Sequence, residues 1–576
     1  MSGRVGNWMR AFGRTRALIA LLALCAYTPG FWWGAPYATA ADRANAWAVD
    51  DEPPMGPLAQ LHDIVHPKAE QNPNLGYPML HPFMVIGSYA PYVGWLMATN
   101  QLSNATAEFP HGFSDPVVAL RNLTWISHFL SVLLAVGIVV AAYDIGRVLW
   151  TPLAGVWSAA FAGLVFPMFF YARTSNVDVP VLFFTALALI AFSRCLMLGL
   201  TTPRVLALAT LMGLAMATKE PSFATFAGVP FVLLVLPSPQ GGNPAWRSAA
   251  TWRLALLCFV TSVAAYALAS GMVIDPSRWV AHIDFVRGRS GEAAKGGVAF
   301  AMHYPMTWEG HRALAARLTG LLADCLTVPG LVLSVVGLIM AAWRTRRAFW
   351  FSVTAVTYLG ILFWSARIAQ LRYVMPAAFT LALFAAFAAS TLLHHRARAV
   401  RWFTACVVLV ALGTAGLRAA DLTYAMLHDS RHAAGDWLRA NGKPGDRLEY
   451  FGSDQKNPPM EAWLVSARAI RYLGGNIQAP RDSATVASIL SGWSERQPRF
   501  VVLIPDFTSA PGELFAASCP PDIARRLEDG SAGYRRAGRF ESADLLPWVH
   551  RPLLDYPVVN PPILIYERID ATAAGL

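Results

Sequence analysis

Long apolar runs fill most of the first 420 residues and alternate with short polar connections. Examples are Phe129–Ala142, Val181–Phe192 and Val407–Leu417, each of which lies inside a longer apolar stretch. A stretch of about 20 residues can cross roughly 30 Å of hydrocarbon as a helix. A helix on a soluble core would instead carry polar residues along one face at helical spacing. The pattern therefore predicts an α-helical, polytopic membrane protein.

Basic residues between the apolar runs predict which side of the membrane each connection faces. They collect at the N-terminus and in connections such as Arg344–Arg347 and Arg396–Arg401. Cytoplasmic connections carry such an excess, so we expect the N-terminus inside and the segments 35–120, 275–325 and 421–576 outside. The predicted spans, about eleven in number, lie near residues 17–34, 122–148, 152–171, 178–199, 204–217, 222–236, 253–274, 326–343, 348–364, 373–393 and 400–419.

The first apolar run has a second interpretation. Its basic flank, apolar centre and the small residues Ala38-Thr39-Ala40 also fit a cleavable signal peptide. We favour an uncleaved first helix, which would anchor the loop that follows. Both interpretations place the loop 35–120 outside.

Composition supports the membrane assignment and excludes one class of partner. Hydrophobic residues make up 55% of the 576 residues and charged residues 14%, against about 25% in soluble proteins. The formal net charge is +11, yet residues 421–576 hold 17 Lys and Arg against 19 Asp and Glu. The positive excess therefore belongs to the membrane part, and we expect no nucleic-acid partner.

The sequence from about residue 421 onward has a mixed polar character. Its strand-like and helix-like runs are, in order, His432–Ala440 (helix), Arg447–Phe451 (strand), Met460–Tyr472 (helix), Phe500–Ile504 (strand) and Ile563–Tyr566 (strand). Such alternation predicts a small α/β domain. We therefore expect a transmembrane domain over residues 1–420 and an extracytoplasmic accessory domain over residues 421–576.

The outer loop contains the acidic triplet Asp50-Asp51-Glu52. Adjacent carboxylates repel one another, which raises their pKa values unless a cation lies nearby. This arrangement suits a general base, or a divalent metal cation held by Asp51 and Glu52. A solvated acidic turn is the alternative, because Pro53 and Pro54 follow.

A further carboxylate, Asp178, lies at the predicted outer end of a span. Ionisable residues at membrane depth are costly and usually face a cavity or a partner. Asp178 also fits the start of a helix, with Pro180 two positions on, and both roles can coexist. We count Asp178 among the catalytic candidates and the nearby Arg173 among the substrate-binding ones.

Few cations face the predicted outer side, so each of them is informative. Those in the short connections at span ends include Lys219, Arg367 and Arg372, the last followed by Tyr373. Ammonium and guanidinium groups at this level suit a phosphate held among the lipid headgroups. The alternative is that their side chains extend to the membrane interface without a ligand. We expect Lys219, Arg367, Arg372 and Tyr373 to bind substrate.

In this order the motifs resemble those of the GT-C superfamily of membrane glycosyltransferases, in particular bacterial relatives of protein O-mannosyltransferases and of the lipid A aminoarabinose transferase. The matching segments are Asp51-Glu52, Tyr77-Pro78-Met79-Leu80-His81, Asn176-Val177-Asp178-Val179-Pro180, Thr218-Lys219-Glu220-Pro221 and Leu371-Arg372-Tyr373-Val374-Met375-Pro376. Met79 stands where the family has a second proline, and Glu220 where it has a glycine. The equivalence of Asp50 or Asp51 stays open.

The resemblance covers roughly residues 15–395. It implies a GT-C-like fold and an inverting transfer of a sugar from a polyprenyl phosphate on the periplasmic face of the bacterial inner membrane. It also implies that Tyr77 and His81 bind substrate. The acceptor would be an envelope lipid, another glycan or a protein.

Other functions are compatible with the same pattern. A membrane transporter would place ionisable residues near mid-span and pair broken helices. A lipid-linked oligosaccharide ligase would have a similar number of spans, and a catalytically inactive scaffold is a third alternative. The notable charges lie at the predicted outer ends of spans, which favours an interfacial enzyme.

Overall fold

The computed structural model describes residues 2–36, 46–48, 51–65, 76–106, 108–235, 245–286, 304–451, 457–460, 466–470, 483–504, 519–552 and 559–569. The chain divides into two compact units. The first unit comprises Met1–Phe31, Gly56–Ser88 and Ser127–Ala420. The second unit comprises Trp32–Met55, Tyr89–Ile126 and Asp421–Leu576.

Most of the described chain is helical. The helices are α1 (Ser2–Tyr27), α2 (Gly56–Val65), α3 (Leu80–Ala98), α4 (Pro116–Leu149), α5 (Pro152–Gly163), α6 (Met168–Tyr171), α7 (Asp178–Leu198), α8 (Thr202–Thr218), α9 (Phe223–Phe226), α10 (Val229–Val235), α11 (Ala249–Ala269), α12 (Pro276–Val286), α13 (Trp308–Leu326), α14 (Val328–Arg344), α15 (Arg346–Phe349), α16 (Val353–Ile361), α17 (Met375–Leu392), α18 (Arg398–Leu427), α19 (Ser430–Asn441), α20 (Ser483–Arg496) and α21 (Pro521–Glu528).

Within the described residues, six helical segments are long and apolar enough to cross a membrane, and the bent pair α13–α14 would make a seventh. The six are Pro116–Leu149, Asp178–Leu198, Ala249–Ala269, Arg346–Ala366, Leu371–Leu392 and Arg398–Asn441. The expected multi-pass helical membrane protein is therefore confirmed. The expected count of about eleven spans is not.

Breaks within helices account for part of the difference between the expected and the observed number of spans. The expected span 152–171 is interrupted because α5 ends at Gly163 and Pro167 precedes α6. Proline cannot continue the i→i−4 hydrogen-bond ladder of a helix. Thr327, with a φ of 65°, separates α13 from α14, and the two helices are bent by 102°. Its hydroxyl accepts a hydrogen bond from the Gly330 N–H and so begins α14.

Helix α17 belongs to the segment Leu371–Leu392, which is the most deeply buried of the candidate spans. It packs against α5 and α14. Its alanine-rich sequence lets neighbouring backbones come close, as small residues do in membrane helices. On α14, a Cβ at Gly337 would collide with the carbonyl oxygen of Phe384 on α17. The close packing of α14 on α17 therefore needs glycine at this position.

The second unit contains a five-stranded sheet in the order β2-β1-β3-β5-β4. Its strands are β1 (Arg447–Phe451), β2 (Ser466–Ile470), β3 (Phe500–Leu503), β4 (Tyr534–Phe540) and β5 (Ile563–Arg568). β1 pairs in parallel with β2 and β3, whereas β5 is antiparallel to β3 and β4. Helix α19 packs on one face of the sheet, and α20 and α21 pack on the other. The small α/β fold expected for the tail is therefore present.

One element expected in the tail is wrong. The helix-like stretch Met460–Tyr472 includes β2, whose residues pair in register with β1 from Arg447↔Ser466 to Phe451↔Ile470. Val, Ala and Ile residues in this stretch tolerate both conformations, so pairing with a buried neighbouring strand decides the outcome.

Candidate active site

Asp178 and Lys219 form a buried ion pair in the first unit. Asp178 begins α7, and its backbone N–H donates to the side-chain oxygen of Asn176 over 2.8 Å. Lys219 follows α8 in an extended conformation, and α8 packs along α7. The Lys219 amine donates to Asp178 Oδ1 over 2.6 Å, and both side chains are buried. Two motifs far apart in sequence thus meet at neighbouring helix ends.

Aromatic rings flank the Lys219 amine, and a second cation lies beside it. The ring centroids of Tyr77 and Tyr373 lie 5.4 and 5.2 Å from Nζ. The guanidinium carbon of Arg372 lies 5.1 Å from the Tyr373 ring, and its charge interacts with that of Lys219. Aromatic faces attract cations and help to hold two like charges together. The structure therefore joins Tyr77, Asp178, Lys219, Arg372 and Tyr373, all of them predicted site residues, into one cluster.

The surroundings of the Lys219 amine favour its charged form. Burial alone would lower the pKa of Lys219, but the adjacent Asp178 carboxylate raises it above its ordinary value. Asp178 Oδ2 is buried and has no hydrogen-bond partner within the described chain. A buried acceptor left unsatisfied costs about 1–3 kcal/mol. The cluster is therefore suited to receive a donor group from a ligand.

His81 and Tyr358 extend the cluster. Burial lowers the pKa of His81 to about 4, although the Asp178 carboxylate opposes this shift. His81 is therefore neutral near pH 7. Tyr358, on α16, is buried and interacts electrostatically with Lys219 and Asp178. His81 is a predicted site residue, whereas nothing in the apolar surroundings of Tyr358 singles it out in the sequence.

Arg173 and Arg367, also predicted to bind substrate, hold backbone carbonyls in the first unit. Arg173 Nε donates to the Tyr27 carbonyl over 3.0 Å, at the C-terminal end of α1. Arg367 Nε donates to the Tyr304 carbonyl over 2.7 Å, and Nη2 donates to that of Pro305. Both arginines are 0% exposed. These contacts give both a structural role, and none of them points to a substrate.

The acidic motif belongs to the second unit. Asp51 is 8% exposed, and its backbone N–H donates to the Ala48 carbonyl over 3.2 Å. Glu52 is partly exposed, and Asp50 lies outside the described residues. In the ranges that the structure describes, no three His, Cys, Asp or Glu side chains are grouped as metal ligands. No step proposed below uses a metal.

A second polar group adjoins Lys219 along the chain. His282 Nε2 lies 2.5 Å from Glu220 Oε1, and Trp279 Nε1 donates to the Tyr266 hydroxyl over 3.2 Å. Glu220 also forms a hydrogen bond with Tyr266. Trp279 and His282 both come from α12. Because so many residues separate Glu220 from α12, no motif spacing could have indicated this group.

Together, the cluster offers two cations, one carboxylate oxygen with spare acceptor capacity, and aromatic walls. Paired cations bind oxyanions with several oxygens, such as phosphate, through charge-assisted hydrogen bonds. The same cations would stabilise negative charge that develops on a departing phosphate. The geometry therefore suits phosphate binding in a chain that crosses a membrane.

Comparisons with known proteins give distant structural similarity. No family model matches the chain, and no curated protein matches it. ArnT from Cupriavidus metallidurans in the apo state is 11% identical, with a TM-score of 0.44 over 98% of both chains. The Archaeoglobus fulgidus oligosaccharyltransferase is 11% identical, with a TM-score of 0.43 over 96% of this chain and 88% of that one. The arabinofuranosyltransferase AftD from Mycobacteria is 14% identical, with a TM-score of 0.43 over 96% of this chain and 41% of that one.

All three are GT-C glycosyltransferases, the superfamily that the sequence motifs resemble. At such TM-scores the similarity carries no argument about the chemistry of this chain.

Proposed function

We propose that the chain is a membrane glycosyltransferase that moves a sugar from a polyprenyl-phosphate donor to an acceptor hydroxyl with inversion. One observation carries the proposal: Tyr77, Asp178, Lys219 and Arg372 come from separate parts of the sequence and meet in one cluster, in which Asp178, Lys219 and Arg372 are buried. Two buried cations at helix ends can bind an anionic lipid headgroup through charge-assisted hydrogen bonds.

In this proposal Lys219 and Arg372 bind the donor phosphate. The bond between the anomeric carbon and the phosphate oxygen breaks, and the polyprenyl phosphate leaves with the electron pair. The two cations stabilise the charge that the phosphate gains, so the leaving group needs no strong acid. Asp178 orients the Lys219 amine through its 2.6 Å hydrogen bond, and its second oxygen is available to a hydroxyl of the sugar.

The general base is proposed from the sequence. The acceptor oxygen forms its bond to the anomeric carbon on the face opposite the phosphate, and its proton passes to a carboxylate. Asp51 is our first choice because it is paired with Glu52 in the family-like motif. Glu52 would orient the acceptor, and Asp50 is the rival base.

The membrane setting is part of the proposal. We infer about eleven spans, with the N-terminus in the cytoplasm and residues 421–576 in the periplasm of the inner membrane. Residues 1–420 would form the catalytic membrane domain and residues 421–576 an accessory domain. The basic connections of the sequence support this topology. The partners would be membrane lipids, a hexose or pentose donor, and a lipid, glycan or protein acceptor.

A transporter is the main alternative from another class. Its ion and substrate sites would lie near the midplane of the bilayer, between broken helices. Here Asp178 is the first residue of α7, and Lys219 follows the last residue of α8. Charges at helix ends favour chemistry at the membrane surface. A lipid-linked oligosaccharide ligase shares that preference and differs in its donor.

Mass spectrometry of lipid carriers and envelope glycans can test the proposal. Cells that express the wild-type protein would be compared with cells that carry Lys219→Met, and with the exposed control Lys443→Met. We expect one polyprenyl-monophosphate sugar to accumulate with Lys219→Met, and one envelope product to lose that sugar. Accumulation of a diphosphate-linked oligosaccharide would identify a ligase. Unchanged pools of carrier and glycan would contradict the proposal.

A further inference from the structure

The proposed reaction leaves one fully buried arginine of the second unit without a role. Arg431, in the first turn of α19, is 0% exposed. Its Nε and Nη2 donate to Asp429 Oδ1 and Oδ2 over 2.8 and 2.7 Å. The Asp429 carboxylate also accepts a hydrogen bond from the Asn560 backbone over 2.8 Å. The two charges thus form a closely hydrogen-bonded ion pair in the interior of this unit.

Two tryptophans from the N-terminal part of the chain cover this ion pair. The Arg431 guanidinium carbon lies 4.0 Å from the Trp47 ring centroid and 5.3 Å from that of Trp33. Trp33 Nε1 donates to Asp429 Oδ2 over 3.0 Å. Gly34, with a φ of 72°, accepts a hydrogen bond from the Trp47 N–H, and a Cβ there would press on Trp47. We name Trp33, Trp47, Asp429 and Arg431 the Arg431 clamp.

The chemistry of the Arg431 clamp is better suited to fixing the position of a segment than to adding stability to the fold. Burial of two charges is costly, and apolar side chains of similar volume often stabilise a fold equally well. A bidentate ion pair stacked on an indole has one geometry, whereas an apolar contact tolerates several. The clamp therefore fixes where Trp47 lies relative to α19.

Trp47 precedes Asp51 of the acidic motif by four residues. The Ala48 carbonyl, next to Trp47 in the chain, accepts a hydrogen bond from the Asp51 N–H over 3.2 Å. Four residues of chain span at most about 14 Å when extended, and the hydrogen bond to Ala48 holds Asp51 closer than that. A fixed Trp47 therefore restricts where the Asp51 carboxylate can lie.

We propose that the Arg431 clamp positions the acidic motif, so that residues 421–576 take part in sugar transfer by holding Asp51 through Trp47. This inference rests on the proposed function, in which Asp51 is the base. Trp47 and Arg431 are positioning residues in this account. Misplacement of a reacting group by about 1 Å can lower a rate by roughly 10²-fold.

The test uses substitutions at Trp47, because removal of Arg431 would leave Asp429 buried and unpaired. Trp47→Leu removes the stacked ring, and Trp47→Phe restores an aromatic face. Trp437→Leu is the matched control, because Trp437 is a partly buried tryptophan of the same unit that packs against Phe500. For each purified full-length variant we would measure kcat, the donor KM, the melting temperature and hydrogen exchange at the Asp51 amide.

We expect Trp47→Leu to lower kcat by about 10²-fold with little change in the donor KM, and Trp47→Phe to restore most of the rate. Added to Asp51→Asn, Trp47→Leu should cause little further loss, because residues that act as a unit are not additive. A kcat for Trp47→Leu equal to that of Trp437→Leu would overturn the proposal. Multiplicative losses in the double variant would do the same.

Hydrogen exchange separates this proposal from the proposed function. If the wild-type protein transfers no sugar from any polyprenyl-phosphate donor, the proposed function fails. Faster exchange at the Asp51 amide in Trp47→Leu than in Trp437→Leu would still support the clamp. Equal exchange in both variants would overturn it, whatever the activity.

Discussion

The Lys219 amine lies 2.6 Å from Asp178 Oδ1, and the other oxygen of this buried carboxylate has no partner in the part of the chain that the structure describes. Both charges depend on each other, because either one alone would be buried without compensation. The pair nevertheless keeps binding capacity, since two N–H groups of the amine and Oδ2 are not used in the ion pair. Removal of one of these two charges should therefore affect both the stability of the protein and the binding of a ligand.

Lys219→Met should destabilise the protein and abolish donor binding. Removal of one partner of a buried ion pair typically costs about 3–5 kcal/mol. The double variant Lys219→Met/Asp178→Asn removes both charges and should melt at a higher temperature than Lys219→Met, yet still fail to bind polyprenyl phosphate. Thermal unfolding in detergent and a polyprenyl-phosphate binding assay measure the two effects. A double variant that melts at or below the Lys219→Met variant would contradict the mutual dependence.

Arg372→Lys should weaken binding of polyprenyl phosphate even though the charge is kept. A guanidinium forms two parallel hydrogen bonds with a phosphate, and an ammonium cannot reproduce this geometry. We expect a loss of at least about tenfold in affinity, equal to about 1.4 kcal/mol. Arg204→Lys is the matched control, because Arg204 donates to the carbonyls of Leu198 and Gly199. Equal affinities for the two variants would remove Arg372 from the phosphate site.

His81 should make the protein less stable in mild acid. Burial lowers its pKa from 6.5 to about 4, so the unfolded chain binds more protons between these two values. The contribution of neutral His81 to stability is therefore fully present above about pH 6.5 and is lost as the pH falls toward 4. Asp178 is the charged group that opposes this shift.

Melting temperatures at pH 7 and pH 5 measure this effect. The wild-type protein should lose more stability on acidification than His81→Gln does. His62→Gln is the control, because the His62 side chain is 50% exposed. A His81→Gln variant with the pH dependence of the wild type would show that His81 does not titrate as expected.

The predicted topology can be tested with a phosphatase reporter that is active only outside the cytoplasm. Fused to the C-terminus of the full chain, it should be active, because an odd number of spans carries the tail outward. Fused after Arg346, beside the cluster Arg344–Arg347, it should be inactive. Activity at Arg346 would reverse the assignment of sides and with it the proposed periplasmic reaction.

Elements whose residue pattern repeats locally could be predicted from the sequence. The strands expected at Arg447–Phe451 and Phe500–Ile504 appear at Arg447–Phe451 and Phe500–Leu503. The helix expected over Met460–Tyr472 is wrong for Ser466–Ile470, which forms a strand because it pairs with β1. The local sequence pattern does not reveal this pairing. The bend at Thr327 likewise depends on a single residue rather than on a repeated pattern.

The residue types of the candidate site could be predicted from the sequence, but the contacts of its side chains could not. Lys219 and Arg372 are cations at predicted span ends, and so is Arg367. Only the folded chain shows that Arg367 is held by the carbonyls of Tyr304 and Pro305. These partners lie far away in sequence, so no local rule distinguishes an arginine that holds backbone from one that is placed beside Lys219.

The most direct test of the account is release of polyprenyl phosphate by the purified protein. The wild-type chain and Asp51→Asn would be incubated with polyprenyl-phosphate sugars extracted from membranes, with and without an envelope acceptor fraction, and the released lipid phosphate would be quantified by mass spectrometry. We predict acceptor-dependent release by the wild type and a rate about 10²–10⁴-fold lower for Asp51→Asn, which should still bind donor. If Asp50→Asn is inactive and Asp51→Asn is active, the base is Asp50. No release by the wild type, or release at the wild-type rate by both variants, would contradict the account.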